Sequence, residues 1–135
     1  MTKYIIFLIF SLSLILSQSY KVQPPIVDIN GVIFKENDEI PYTGKITVFW
    51  GNNALKEEGI YREGVKSGLW KYWHANGKLF SKGIFRNGLK TGVWIEWHEN
   101  GNKKTQSIYR NGLKNGREIN WSLEEVKLSE FSFQS

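Results

Sequence analysis

Cysteine is absent from the 135 residues. Its absence excludes disulfides, thiolate metal sites, a cysteine nucleophile and bacterial lipid attachment through an N-terminal cysteine. Histidine occurs twice (His74 and His98) and aspartate twice (Asp28 and Asp38), so a Ser-His-Asp triad has little to draw on. No serine stands in a G-x-S-x-G elbow. Glu57-Glu58 and Glu124-Glu125 are neighbours in sequence. Successive strand residues point to opposite faces, so neither pair forms the carboxylate couple of a glycosidase. The glycines sit in prospective turns with no helix behind them, which leaves no phosphate-binding loop. These gaps point to a non-enzyme without cofactor or metal.

Long apolar runs are also missing, with one exception. Residues 4–16 form an uncharged stretch of 13 behind a single lysine, Lys3. A spanning helix needs about 20 apolar residues, so this length fits the core of a signal peptide better than an anchor. Ser17 and Ser19 are small residues spaced as signal peptidase requires, and cleavage is expected after Ser19. The reading is an exported protein, periplasmic or secreted, with no stable membrane span after cleavage. Cleavage removes one of the 18 basic residues and none of the 13 acidic ones, leaving a net charge of 17 − 13 = +4. The charges are interspersed, without the clustering of a nucleic-acid reader, and nucleic acid is not expected as a partner.

What the chain has in plenty is aromatic residues, 15% of the total with six tryptophans, and 13 glycines. They are arranged in a repeat. Gly44, Gly68, Gly92 and Gly116 are each 24 residues apart. "GLWKYWHANGKLFSKGIFRNGLKT" (68–91) and "GVWIEWHENGNKKTQSIYRNGLKN" (92–115) share Trp at the third and sixth places, His at the seventh and Asn-Gly at the ninth and tenth. The first unit, from Gly44, keeps an aromatic at the sixth place (Phe49) and has Asn52-Asn53 for Asn-Gly; the fourth keeps Trp121 and then loses both Asn-Gly signals. A half-unit is read ahead of Gly44, in residues 28–44. Degenerate ends are what a repeat array needs to close its open faces.

Asn-Gly between alternating residues signals a two-residue type I′ hairpin, because both turn positions need positive φ. Asn76-Gly77 and Asn100-Gly101 supply one turn of each unit; Asn87-Gly88 and Asn111-Gly112, with Glu63-Gly64 as a weaker version, supply the other. Nine residues, two, eleven and two make 24. The fold class is therefore all-β: a single-domain antiparallel meander of repeated β-hairpins. Residues 1–19 are the signal peptide, 20–43 a lead-in or cap, 44–121 the repeats and 122–135 a C-terminal cap. Val32–Lys35 reads as a short strand, and the tail from Leu123 as either a closing strand or a short helix. Two-residue loops set Ala75 against Lys78, Trp73 against Phe80, Trp70 against Gly83, Arg86 against Leu89 and Ile84 against Thr91. One face then carries Trp70, Tyr72, His74, Leu79 and Phe85, and the other Leu69, Trp73, Phe80, Ile84 and Leu89. Either the sheet curls on itself or one aromatic face stays open to a partner.

The stretches "GLWKYWHANGKLFSKGIFRNGLKTG" and "GVWIEWHENGNKKTQSIYRNGLKNG", with the lead-in "IPYTGK", resemble the MORN-repeat variant of many bacterial proteins, often labelled the YwqK family of toxin–antitoxin antitoxins. The resemblance covers about residues 41–120. It implies a hairpin array that serves as a binding or scaffolding surface. An export signal departs from what a cytoplasmic antitoxin would carry.

Binding is thus the expected activity, with a protein, such as another envelope component, as partner. The candidate residues are the ring ladder Trp50, Trp70, Tyr72, His74, Trp94 and His98, which would stack on sugar faces, peptides or a partner's edge strand. The competing reading makes the same rings the core. A shared metal between His74 and His98 is disfavoured, since equivalent places two strands apart lie roughly 9–10 Å from each other. A carbohydrate- or envelope-surface-binding module and an antitoxin- or immunity-like neutraliser are the alternative functions.

Overall fold

The computed structural model describes residues 21–23 and 25–134, and the signal segment with its cleavage site lies outside them. The described residues contain no helix, and so none long and apolar enough to cross a membrane. Eleven strands run in order: β1 (Lys21–Gln23), β2 (Ile26–Ile29), β3 (Val32–Lys35), β4 (Gly44–Phe49), β5 (Leu55–Arg62), β6 (Val65–Trp73), β7 (Leu79–Arg86), β8 (Leu89–Trp97), β9 (Lys103–Arg110), β10 (Leu113–Trp121) and β11 (Lys127–Phe133). Strands β4 to β11 form an antiparallel meander, each paired with the next, and β1 joins its edge beside β4. The tail is a strand, not a helix.

The two turns of each unit differ, which corrects the expectation of type I′ geometry at both. At the twentieth and twenty-first places the two-residue turn is present. Glu63-Gly64, Asn87-Gly88 and Asn111-Gly112 all have positive φ, 48° and 77°, 50° and 77°, and 50° and 83°. Asn30-Gly31 repeats it between β2 and β3, at 54° and 83°. At the other end of the unit only the tenth place is left-handed: Asn53, Gly77, Gly101 and Glu125, at 63°, 82°, 96° and 60°. There His74 N–H donates to Lys78 O and Gly77 N–H to His74 O. The loop is three residues long, a type I turn followed by a left-handed residue. The extra residue shifts the register, so Trp73 faces Leu79 and not Phe80, and Phe80 meets the His74 ring instead, 5.1 Å away. The Trp70–Gly83, Arg86–Leu89 and Ile84–Thr91 pairs stand as expected. The fourth unit keeps the same loop without Asn-Gly: Ser122 N–H donates to Val126 O and Glu125 N–H to Ser122 O.

A bulge gives each unit its core. Lys82 pairs with Ile95 and Ile84 with Thr91, so Gly92, Val93 and Trp94 together oppose Gly83. Gly92 has φ +66°, and a Cβ there would meet nothing, so the backbone angle alone demands glycine. The bulge lays the Trp94 indole over Gly83, where a Cβ would come within 2.1 Å of Cδ2. One unit earlier, Trp70 covers Gly59 in the same way, where a Cβ would come within 2.2 Å of Cδ2. The glycine that Trp70 covers is thus Gly59, not its register partner Gly83.

One face of the sheet is closed. Its core joins Ile33, Ile46, Val48, Tyr61 and Trp70, with Ile26, Tyr42, Tyr72 and Phe85 packed against them. The β2–β3 hairpin belongs to this core but not to the sheet; it is a separate two-stranded unit. It grips the first tight turn: Ile33 N–H donates to Gly64 O, and Gly64 N–H to Tyr42 O. The latter bond recurs 24 residues later from Gly88 to Lys66 O, and again from Gly112 to Lys90 O. Only Tyr42 and its neighbours therefore occupy a repeat position, and the hairpin before them is a cap and not a half-unit.

Candidate binding surface

The closed face is tiled by rings at fixed places. The third-place Trp70 lies 5.1 Å from Tyr61 and 6.0 Å from Phe85, both edge-on. Trp94 repeats this with Phe85 at 5.0 Å and Tyr109 at 6.4 Å. The indole N–H groups donate to Ile60 O and Ile84 O, each at 3.2 Å. Lysines of the twenty-third place roof the rings: Lys66 Nζ is 4.0 Å above Trp70 and Lys90 Nζ 4.2 Å above Trp94. Lys66 also reaches Glu57 at 3.5 Å and the Tyr72 hydroxyl at 2.9 Å. Burial pulls the Lys66 ammonium below its ordinary value, opposed by Glu57. Burial likewise pushes the Tyr61 phenol up to about 12 and raises that of Tyr72. Both phenols are therefore neutral throughout the physiological range.

This geometry corrects part of the ring-ladder expectation. Trp70 is 0% exposed and Trp94 3%. With glycine beneath and lysine above, neither indole has a face to offer a ligand. Tyr72 is half-buried between Trp70 and Trp94. Trp50, His74 and His98 are also half-buried, at the seventh place, and there they tie unit to unit. Trp50 Nε1–H donates to Trp73 O at 3.1 Å, and the Nε2 atoms of His74 and His98 contact Trp97 O and Trp121 O at 3.0 and 3.1 Å. A carbonyl only accepts, so each imidazole carries its proton on Nε2. The ninth-place asparagines add a parallel rung: Asn52, Asn76 and Asn100 donate to Ala75 O, Glu99 O and Leu123 O.

Where the third unit meets the fourth, the ring motif varies as a pair. Ser107 replaces the sixteenth-place glycine, and Glu118 the third-place tryptophan. Ser107 Oγ donates to Glu118 Oε2 at 2.6 Å, and Lys114, in the place of Lys90, pairs with the same carboxylate. Burial pushes the Glu118 carboxyl up, but the hydrogen bonds from Lys114 and Ser107 together with the Lys114 charge outweigh it and hold the carboxyl below its ordinary value. At the end of the array the sixteenth place is Phe131, 53% exposed.

What remains open is the opposite face, and it is aliphatic. Ile60, Leu69, Ile84, Val93 and Ile108 form a row across β5 to β9, each between 36% and 50% exposed. Leu69 stands opposite Ile84, and Val93 opposite Ile108. Sequence reasoning placed Leu69 and Ile84 on this face but looked for the ligand surface among the rings. The signal it passed over was the isoleucine at the seventeenth place of three successive units.

A family comparison identifies the repeat. The MORN repeat variant matches residues 66–87 and 90–111, whose strands, turns and ring pairs have just been described. The chain carries two MORN repeat variants. MORN repeats are generally modules that bind proteins or membranes. The matched segments are β6–β7 and β8–β9 with the three-residue loops that join them; the units at either end repeat the same geometry with altered residues. No curated protein and no solved structure gives a significant match to the chain.

Proposed function

We propose that this chain is an exported, non-catalytic repeat module that binds another protein, such as an envelope component, through its aliphatic face. The observation that carries the reading is the row Ile60, Leu69, Ile84, Val93 and Ile108, left uncovered across five adjacent strands. Rows of this kind on a soluble protein mark interaction sites, and a hairpin array presents one with little conformational loss on binding. The lack of cysteine and of a G-x-S-x-G serine, the shortage of His and Asp for a triad, and the opposite facing of the adjacent glutamates support the non-catalytic part, and the 13-residue run behind Lys3 supports export. The carbohydrate alternative loses its principal rings, because Trp70 and Trp94 are inaccessible. A neutraliser of the YwqK antitoxin type would be one particular protein binder. A photo-crosslinking amino acid at Ile84 or Val93 in the exporting cell tests the reading: protein adducts are expected there and not from Glu39, which is exposed between β3 and β4, outside the strands that carry the row. Absence of protein adducts from both row positions refutes it.

A further inference from the structure

The protein-binding reading can be taken one step further, to the chemistry of the partner. On the aliphatic face three successive units present isoleucine and arginine two places apart: Ile60 and Arg62, Ile84 and Arg86, Ile108 and Arg110. Residues two apart on a strand share a face, and equivalent places two strands apart recur at about 9.6 Å. All three arginines are exposed. Among the described residues none of the three takes part in an ion pair, although Lys45, Lys66, Lys71, Lys114, Arg117 and Lys127 all do. On the other side of the row Lys71 and Lys82 are direct cross-strand partners. Like charges so placed are destabilising. Glu58 lies 3.7 Å from Lys71, whereas the contact made by Lys82 is with the Trp97 ring at 5.6 Å. Between Arg62 and Arg86 a cleft of about 520 Å³ opens, lined by Ser67, Gly68 and Ile84, with Glu63 as its one acid.

The row of aliphatic side chains is therefore bordered by unpaired guanidiniums on one side and by crowded ammonium groups on the other. A second copy of this face would meet it with like charge. A neutral ligand would leave the arginines as they are. An anionic bilayer would supply charge without period, and the exposed apolar residues next to the two-residue turns on the arginine side, Leu89 and Leu113, stand as cross-strand partners of Arg86 and Arg110 and not at the turn tips (Glu63-Gly64, Asn87-Gly88, Asn111-Gly112). A cleft sized for side chains, between guanidiniums at a fixed spacing, suits a polypeptide. We infer that the aliphatic face receives an acidic segment of a partner protein, which crosses strands β5 to β9 with its carboxylates on Arg62, Arg86 and Arg110 and its apolar side chains on the isoleucine row.

The test maps the adduct formed from Ile84 in the full chain and then reverses the charges. The crosslinked partner peptide should be rich in Asp and Glu. Arg62→Glu, Arg86→Glu and Arg110→Glu together should weaken binding about a hundredfold, since exposed pairs contribute modestly and reversal adds repulsion. Lysine at the same three positions should retain most of the binding, with unchanged circular dichroism in both variants. Lysines placed at the mapped partner carboxylates should restore binding to the reversed variant. A neutral or basic partner peptide, or an adduct indifferent to the triple reversal, overturns the acidic-partner inference while leaving the protein-binding reading standing. Lipid adducts, with binding of purified protein to vesicles of phosphatidylcholine and phosphatidylglycerol, overturn it in favour of a membrane. No adduct at all refutes the protein-binding reading itself.

Discussion

The sixteenth place of one unit lies under the third place of the next, as glycine under tryptophan at Gly83–Trp94 and as serine under glutamate at Ser107–Glu118, and the two solutions should be interchangeable only as pairs. Changing Gly83→Ser puts a Cβ where the structure has 2.1 Å to Trp94 Cδ2. Gly83 is an ordinary strand residue without positive φ, so the penalty is steric and the indole must leave. Burial of a tryptophan, at 150–250 Å² and about 25 cal/mol per Å², is worth at most ~4–6 kcal/mol. Partial displacement should cost ~2–4 kcal/mol, at or above the usual range for overpacking. Changing Trp94→Glu alone removes the ring and should cost ~3–5 kcal/mol. In the double variant the new serine can donate to the new glutamate, and Lys90 stands where Lys114 stands over Glu118. A double-mutant cycle by urea unfolding, followed by far-ultraviolet circular dichroism, should give a favourable coupling of ~1–3 kcal/mol. Additivity within about 0.5 kcal/mol would refute the idea that these residues act as a coupled pair.

Other expectations follow from the rungs and the titrating groups. Long-range proton–nitrogen spectra should show His74 and His98 as Nε2–H tautomers, and His74→Ala should cost ~1–2 kcal/mol by orphaning the Trp97 carbonyl and losing the Phe80 contact. With the Glu118 carboxyl held below its ordinary value by Lys114 and Ser107 against the upward push of burial, its stabilisation is fully present above the unfolded carboxyl value near ~4.3 and is lost as pH falls through the lower folded value. Glu118→Gln should flatten that acid limb of the urea midpoint. The Tyr61 phenol, pushed up to about 12 by burial and then by Glu57, stabilises below the unfolded value of about 10, and this is lost as pH climbs from there. Tyr61→Phe should reduce the alkaline loss. N-terminal sequencing of exported protein should begin at Tyr20; an intact Met1 refutes cleavage.

The period, the strand count per unit and both turn positions were legible in the sequence because glycine and asparagine mark positive φ directly. What escaped is instructive in physical terms. Asn-Gly at 76–77 serves a three-residue loop with only Gly77 left-handed, because Asn76 is kept for its side chain, which accepts from Lys78 N–H and donates to Glu99 O. The same dipeptide at 87–88 is kept for its backbone. Composition cannot separate those two uses. Glu125 adopts the left-handed angle without being glycine or asparagine, held by the Ser122 carbonyl, so the final hairpin had no signal. As for the surface, alternation placed Leu69 and Ile84 opposite Trp70 and Phe85, yet the larger rings drew the functional reading. Which side of a single sheet is covered depends on the β2–β3 cap and on the lysine roof, both products of distant pairing.

Phe131 has an outcome for how such a chain can change size. Its ring stands where the first two full units leave bare backbone for the next tryptophan and the third leaves only a serine, so a fresh copy appended behind it would find its seat taken. Growth must come by insertion upstream, where any added stretch of 24 residues finds a glycine before it and a tryptophan after it. The molecule would then lengthen in steps of about 10 Å while both of its stoppers stay as they are.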